Sequence, residues 1–116
     1  MAKAAPSELS EQIKLCVALD KMGVLYYAVP NGGKRGYLEA INFKRSGVKA
    51  GVPDLCIPEP RKSYHGLYIE LKRTNGGVVS ESQVFWMRQL RSKGYKAEVC
   101  HGAAEAILVI KEYFEC

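Results

Sequence analysis

From Leu9 onward the apolar residues of this chain recur at helical spacing, with Leu9, Ile13, Cys16 and Val17 three or four positions apart or adjacent on one face. Ser7, behind Pro6, is a suitable N-cap and Gly23 a suitable stop, so the pattern predicts a helix from Glu8 to Met22. The period then changes. Val24 to Val29 is a run of β-branched and aromatic residues and predicts a strand, and Pro30-Asn31-Gly32-Gly33 predicts a turn. Leu38 to Arg45 reads as a short helix closed by Gly47. Two strands follow, Asp54 to Ile57 and Leu67 to Lys72, joined by a loop containing Pro and Lys. Beyond the loop Asn75-Gly76-Gly77, the sequence Ser80-x-x-Gln83 has the form of a capping box. It opens a helix through Val84, Met87 and Leu90 that Gly94 stops. Tyr95 to Cys100 predicts a fourth strand, and Ala103, Ile107, Ile110 and Phe114 mark a last helix. The order α-β-(α)-β-β-α-β-α predicts a mixed central sheet flanked by helices, an α/β architecture.

A length of 116 residues suits a single domain across positions 1–116 with one core, and a hydrophobic share of 47% excludes a disordered tail. No apolar run approaches the ~20 residues of a membrane span. The segment Met1 to Pro6 has a charge with no apolar stretch behind it, so no signal peptide is expected and the cytoplasm is the expected location. Cys16, Cys56, Cys100 and Cys116 form no C-x-x-C pair, and His65 and His101 stand apart from one another, which argues against zinc. The first three cysteines are expected to be reduced core thiols. Cys100 and His101 are strand neighbours pointing to opposite faces, which argues against a thiol–imidazole couple. Seventeen Lys and Arg against twelve Asp and Glu leave a formal charge of +5, favourable for approach to a polyanion.

The chemistry is concentrated in two short segments, Gly51-Val52-Pro53-Asp54-Leu55 and Tyr68-Ile69-Glu70-Leu71-Lys72. Side chains alternate across a strand, so Leu67, Ile69 and Leu71 take one face while Tyr68, Glu70 and Lys72 take the other. Glu70 and Lys72 then stand about 6.6–7 Å apart on that face. An antiparallel hairpin symmetric about Lys62 would set Asp54 opposite Glu70, with Cβ atoms roughly 4.5–5.5 Å apart. Carboxylates that close repel unless a cation lies between them, and Mg²⁺ or Mn²⁺ is the natural occupant. Glu8 and Glu11 share a helix face, and either could reach the cluster. Such a metal would activate water and polarise a phosphate, while Lys72 orients the water and counters developing charge. The bland alternative is that Pro-Asp borders a turn and that Glu70 and Lys72 are a solvated surface pair.

With these residues in view, Lys49-Ala50-Gly51-Val52-Pro53-Asp54-Leu55 followed by Glu70-Leu71-Lys72 resembles the PD-(D/E)XK nuclease superfamily, and more narrowly the virus-type replication-repair nuclease (VRR-NUC) domain. The resemblance extends to Glu11-Gln12, Val29-Pro30-Asn31-Gly32, Arg45-Ser46-Gly47-Val48 and Ser80-x-x-Gln83 before Gly94. It implies a restriction-endonuclease-like core and a Mg²⁺- or Mn²⁺-dependent DNA endonuclease. Asp54, Glu70 and the Leu71 backbone carbonyl would hold the metal, Lys72 would serve the water, and Glu11 would be the helix carboxylate near the ion. Gln83 matches the family glutamine at the start of the next helix, and it also stands where a capping-box glutamine belongs. Minimal family members are implied to be virus- or prophage-encoded, acting in bacterial or phage-infected cells as homodimers on four-way junctions. Paired symmetric cuts by a domain with one site need two copies.

Lys34, Arg35, Lys44, Arg45, Lys49 and Arg73 could form a basic collar for backbone phosphates, joined by Asn31 beside Gly32 and Gly33. Tyr26, Tyr37, Tyr64 and Trp86 could stack on exposed bases, with core or dimer packing favoured for Trp86. The leading expectation is therefore a structure-selective endonuclease of branched DNA. Its alternatives are a flap- or sequence-specific nuclease of the same superfamily and a catalytically silent nucleic-acid-binding module.

Overall fold

The computed structural model describes residues 6–30 and 37–115, with the backbone alone for Tyr37. Along the chain run α1 (Glu8–Met22), β1 (Tyr27–Ala28), α2 (Tyr37–Arg45), β2 (Leu55–Ile57), β3 (Leu67–Lys72), α3 (Glu81–Ser92), β4 (Lys96–His101) and α4 (Ala103–Phe114). The element order is the one expected. α1 begins at Ser7, whose hydroxyl accepts the Ser10 N–H, and ends at Gly23, whose N–H and that of Val24 return to Asp20 and Leu19 carbonyls. α3 opens on a complete capping box between Ser80 and Gln83.

β1 departs most from expectation, since the run Val24 to Val29 pairs over two residues only. Its first part is claimed by the helix cap. Val24 closes the end of α1, and the Tyr26 hydroxyl donates to Asp20 Oδ1 at 2.8 Å. Pro30 then removes a donor at the far end. The pairing nonetheless reaches the site, because Val29 N–H donates to the Asp54 carbonyl at 2.8 Å. The other boundaries shift by one residue: β2 starts at Leu55 rather than Asp54, β4 covers Lys96–His101, and α2 starts at Tyr37.

The sheet order is β1-β2-β3-β4, antiparallel up to β3 and parallel between β3 and β4. One face carries Leu55, Ile57, Leu67, Ile69, Leu71 and Cys100 against Leu15 and Leu19 of α1 and Ala103, Ala106, Ile110 and Tyr113 of α4. Full burial of one Leu or Ile side chain there stabilises by about 1.5–3 kcal/mol. The other face carries Tyr68, Ala97 and Val99 against Trp86, Met87 and Leu90 of α3. Trp86 is thus a packing residue. α2 buries none of its described side chains. Cys16, Cys56 and Cys100 are free thiols, and burial pushes that of Cys100 up to about 12. Among the described residues no helix is long and apolar enough to cross a membrane.

Candidate metal and phosphodiester site

The strand pair β2–β3 is in the register Leu55↔Ile69, Cys56↔Tyr68, Ile57↔Leu67, which centres the hairpin on Lys62. Lys62 and Ser63 make the tip with φ of 50° and 70°, while Arg61 and Tyr64 bond each other's backbones across it. One step beyond Leu55↔Ile69 brings Asp54 opposite Glu70. Asp54 Oδ2 accepts the Leu71 N–H at 2.7 Å, which fixes its carboxylate on β3. By alternation from Tyr68, Glu70 and Lys72 face α3, on the side of the sheet away from α1 and α4.

All three side chains are removed from solvent: Asp54 is 8% exposed, Glu70 1% and Lys72 6%. That rules out the solvated surface pair. Two close approaches of backbone enclose them. Gly51 has φ +92°, and a Cβ there would lie 2.5 Å from the Ser82 carbonyl carbon, so the segment leading to Asp54 presses directly on the first turn of α3. Gly77, with φ +87°, rests on the Lys72 stem, where a Cβ would meet the Lys72 Cβ at 3.3 Å. On the same turn of α3, Gln83 Oε1 accepts from Lys72 Nζ at 2.9 Å and from Ser80 N–H at 2.9 Å. One oxygen therefore completes the capping box and holds the lysine.

Glu70 is the group with unmet bonding capacity. Both of its carboxyl oxygens are buried and no donor reaches either. Burial, then the adjacent Asp54 carboxylate, and then the charge of Glu8 push its carboxyl up to about 9, against an opposing pull from Lys72. Without a metal, this crowding favours the protonated carboxyl, which can donate to Asp54.

This donor set fits a hard divalent cation. Two acceptor oxygens without donors, beside a second carboxyl, would gain their missing partners from one ion. Among the described residues no three His, Cys, Asp or Glu side chains converge on a point. Two carboxylates with a main-chain carbonyl are, however, what Mg²⁺ accepts when waters and substrate phosphate supply the rest.

Glu11 is bound elsewhere. It is 4% exposed, its Oε1 accepts the Ala103 N–H at 3.3 Å, and its Oε2 pairs with Lys14 Nζ at 3.0 Å. Gly102 caps α4 without a side chain, so Glu11 supplies an acceptor from the far end of the sequence. The Lys14 hydrogen bond chiefly lowers its pKa. Of the two acids in the first turn of α1, Glu8 is the one whose charge acts on Glu70.

Of the expected DNA contacts, Lys44 and Arg45 lie exposed at the end of α2, with Lys49 exposed before β2 and Arg73 exposed after β3. Asn31, Lys34 and Arg35 lie outside the described residues, as does the Tyr37 side chain. Tyr26 bonds Asp20, and Tyr64 packs on Tyr113 with ring centroids 6.3 Å apart. A cleft of about 720 Å³ between Met22, Leu25, Pro58 and Phe114 contains none of the site residues. Sequence reasoning missed the Gly51–Ser82 contact and the Asp54–Leu71 bond. The glycine three positions before the aspartate was the available signal for the first, and the second depends on register.

The VRR-NUC domain family model matches residues 11–104. A solved structure described as a VRR-NUC domain protein is 30% identical and superposes with a TM-score of 0.84 over 97% of this chain and 91% of that one. A second, described as a VRR-NUC domain, is 18% identical, with a TM-score of 0.64 over 92% of this chain and 97% of that one, and supports the fold alone. None of the curated proteins matches.

Proposed function

Because the chain belongs to the VRR-NUC family and so carries a nuclease domain of the PD-(D/E)XK type, we propose that it is a Mg²⁺- or Mn²⁺-dependent endonuclease that cuts branched DNA, four-way junctions above all, as a homodimer. The observation that carries this reading is the buried Glu70 carboxyl, without a donor on either oxygen, beside Asp54 and on the same face as Lys72.

In this reading Asp54, Glu70 and the Leu71 carbonyl hold the ion. When bound, the ion supplies an activated water and a Lewis acid for the phosphate. Lys72, held by Gln83, orients the attacking water and offsets the negative charge that grows on the phosphate oxygens. Glu11 serves the site at one remove, binding the first turn of α1 to the start of α4, and Glu8 adds negative charge near the ion. Lys44, Arg45, Lys49 and Arg73, with Asn31, Lys34 and Arg35, would neutralise phosphates on either side of the cut. A single domain with one such site must pair to cut both arms of a junction, hence the homodimer.

The test is cleavage of labelled four-way junction, flap and linear duplex in Mg²⁺ or Mn²⁺, with light scattering for the oligomeric state. Junction cleavage that is lost in Asp54→Ala and Lys72→Ala is expected. Cleavage surviving those substitutions would remove the proposed site. Cutting of linear duplex at one sequence would favour a restriction-type enzyme, and binding without any product would favour a silent module.

A further inference from the structure

The proposed chemistry leaves one titratable side chain beside Lys72 unused. His101 ends β4 and is the parallel-ladder partner of Lys72 on β3. Adjacent strands lie about 4.8 Å apart. Ala97 and Val99 face α3, so alternation puts His101 on that face too, the same one that carries Glu70 and Lys72. The side chain is exposed. Its ring is nevertheless held: Nδ1 lies 3.3 Å from the Arg73 carbonyl oxygen, and its backbone N–H donates to Glu105 Oε2 at 3.2 Å. The Gly102 N–H donates to the Lys72 carbonyl at 2.9 Å, tying this corner of β4 to the end of β3.

We infer that His101 is a further substrate-binding residue, contacting a backbone phosphate next to the one that is cut. This rests on the nuclease reading above and names a group that the reading does not use. The Arg73 carbonyl can only accept, so Nδ1 is the donor there. A phosphate oxygen also only accepts. His101 therefore meets phosphate as the imidazolium, with Nδ1–H on Arg73 and Nε2–H on the nucleic acid. The charges around it pull in both directions. Lys72 on β3 and Arg73 after it are cations, Glu105 on α4 is an anion, and Glu11 of α1 sits behind Gly102. From α3, Gln83, the partner of Lys72, is neutral. A phosphate oxygen at Nε2 requires a donor there, and so the cation.

The experiment is equilibrium binding of a fluorescent four-way junction in EDTA, where hydrolysis is off, between about pH 8 and about pH 6. Wild type should bind more tightly as the pH falls. His101→Gln should lose most of that pH dependence and bind about tenfold more weakly near pH 6. Its log K against log salt should be shallower by about one phosphate contact. His101→Arg, a permanent cation, should restore affinity and remain flat with pH. Mg²⁺ binding to each protein alone, by calorimetry, should be the same. Unchanged affinity and pH dependence in His101→Gln would overturn the inference, as would a parallel loss of Mg²⁺ affinity, which indicates a structural role. If Asp54→Ala abolishes cleavage while His101→Gln binds like wild type, the nuclease reading stands and this inference alone falls. A wild type that binds no DNA overturns both.

Discussion

Replacing Glu70 by glutamine should make the metal-free protein more stable, although it removes a proposed metal ligand. In the unfolded chain Glu70 ionises above its ordinary value of 4.5, whereas in the folded chain burial and Asp54 hold its proton up to about 9. A pKa raised by folding gives a contribution that is whole below about pH 4.5 and is lost progressively as the pH climbs toward 9. At pH 7 the loss is about 3 kcal/mol for a dry site, and about 2 kcal/mol once screening by nearby solvent is allowed for. Glutamine has nearly the same shape and ionises in neither state. Glu70→Gln in EDTA should therefore unfold on the order of 10 °C above wild type at pH 7. The gap should widen toward pH 8 and close toward pH 5. Saturating Mg²⁺ should reverse the order, because the ion stabilises only the chain that binds it. Thermal and urea unfolding across this pH range, with and without Mg²⁺, measure both effects. A Glu70→Gln protein that melts below wild type at pH 8 without metal, or a gap indifferent to pH, would refute the argument that a buried carboxyl crowded by Asp54 dominates this site.

Glu11 should behave in the opposite sense. Its pKa is lowered by Lys14 and the Ala103 N–H, so its contribution is present above pH 4.5 and is lost as the pH falls through the lowered folded value. Glu11→Gln should be less stable than wild type at pH 7, with the difference shrinking in acid, as followed by circular dichroism melts. Ser80→Ala and Gln83→Ala each break the capping box and should each cost about 1 kcal/mol in urea unfolding. Only Gln83→Ala should also lower the cleavage rate, by about tenfold or more, since only Gln83 holds Lys72. Gly51→Ala forces a Cβ to 2.5 Å from the Ser82 backbone and strains φ +92°, so it should destabilise by about 1–3 kcal/mol. It should also reduce kcat more than KM, because it parts Asp54 from the turn that carries Gln83.

Much of this was legible in the order of residues. The limits of α1, β3 and α4 follow from apolar spacing and from Ser7 and Gly23, because helix caps and strand alternation are decided within a few residues. The capping box of α3 and the hairpin register about Lys62 were equally local. The strand expected over Val24 to Val29 shortens to Tyr27–Ala28 because β-propensity there competes with the end of α1 and with a hydrogen bond between Tyr26 and Asp20. The partners of Glu11 were not legible for a related reason. Its partner, the Ala103 N–H, lies 92 positions away and is orphaned only because Gly102 offers no side chain.

The sequence by itself determined which elements form, and strand alternation put Glu70 and Lys72 on one face, with Asp54 joining them once the hairpin is symmetric about Lys62. Tertiary structure alone decided that this face lies under α3, that Glu70 is left buried without a donor, that Gln83 meets Lys72, and that His101 stands next to them. Those facts depend on how β4 and α3 return to β3. Contacts between residues dozens of positions apart are selected by packing of the whole sheet and its helices, and no short window of residues encodes them.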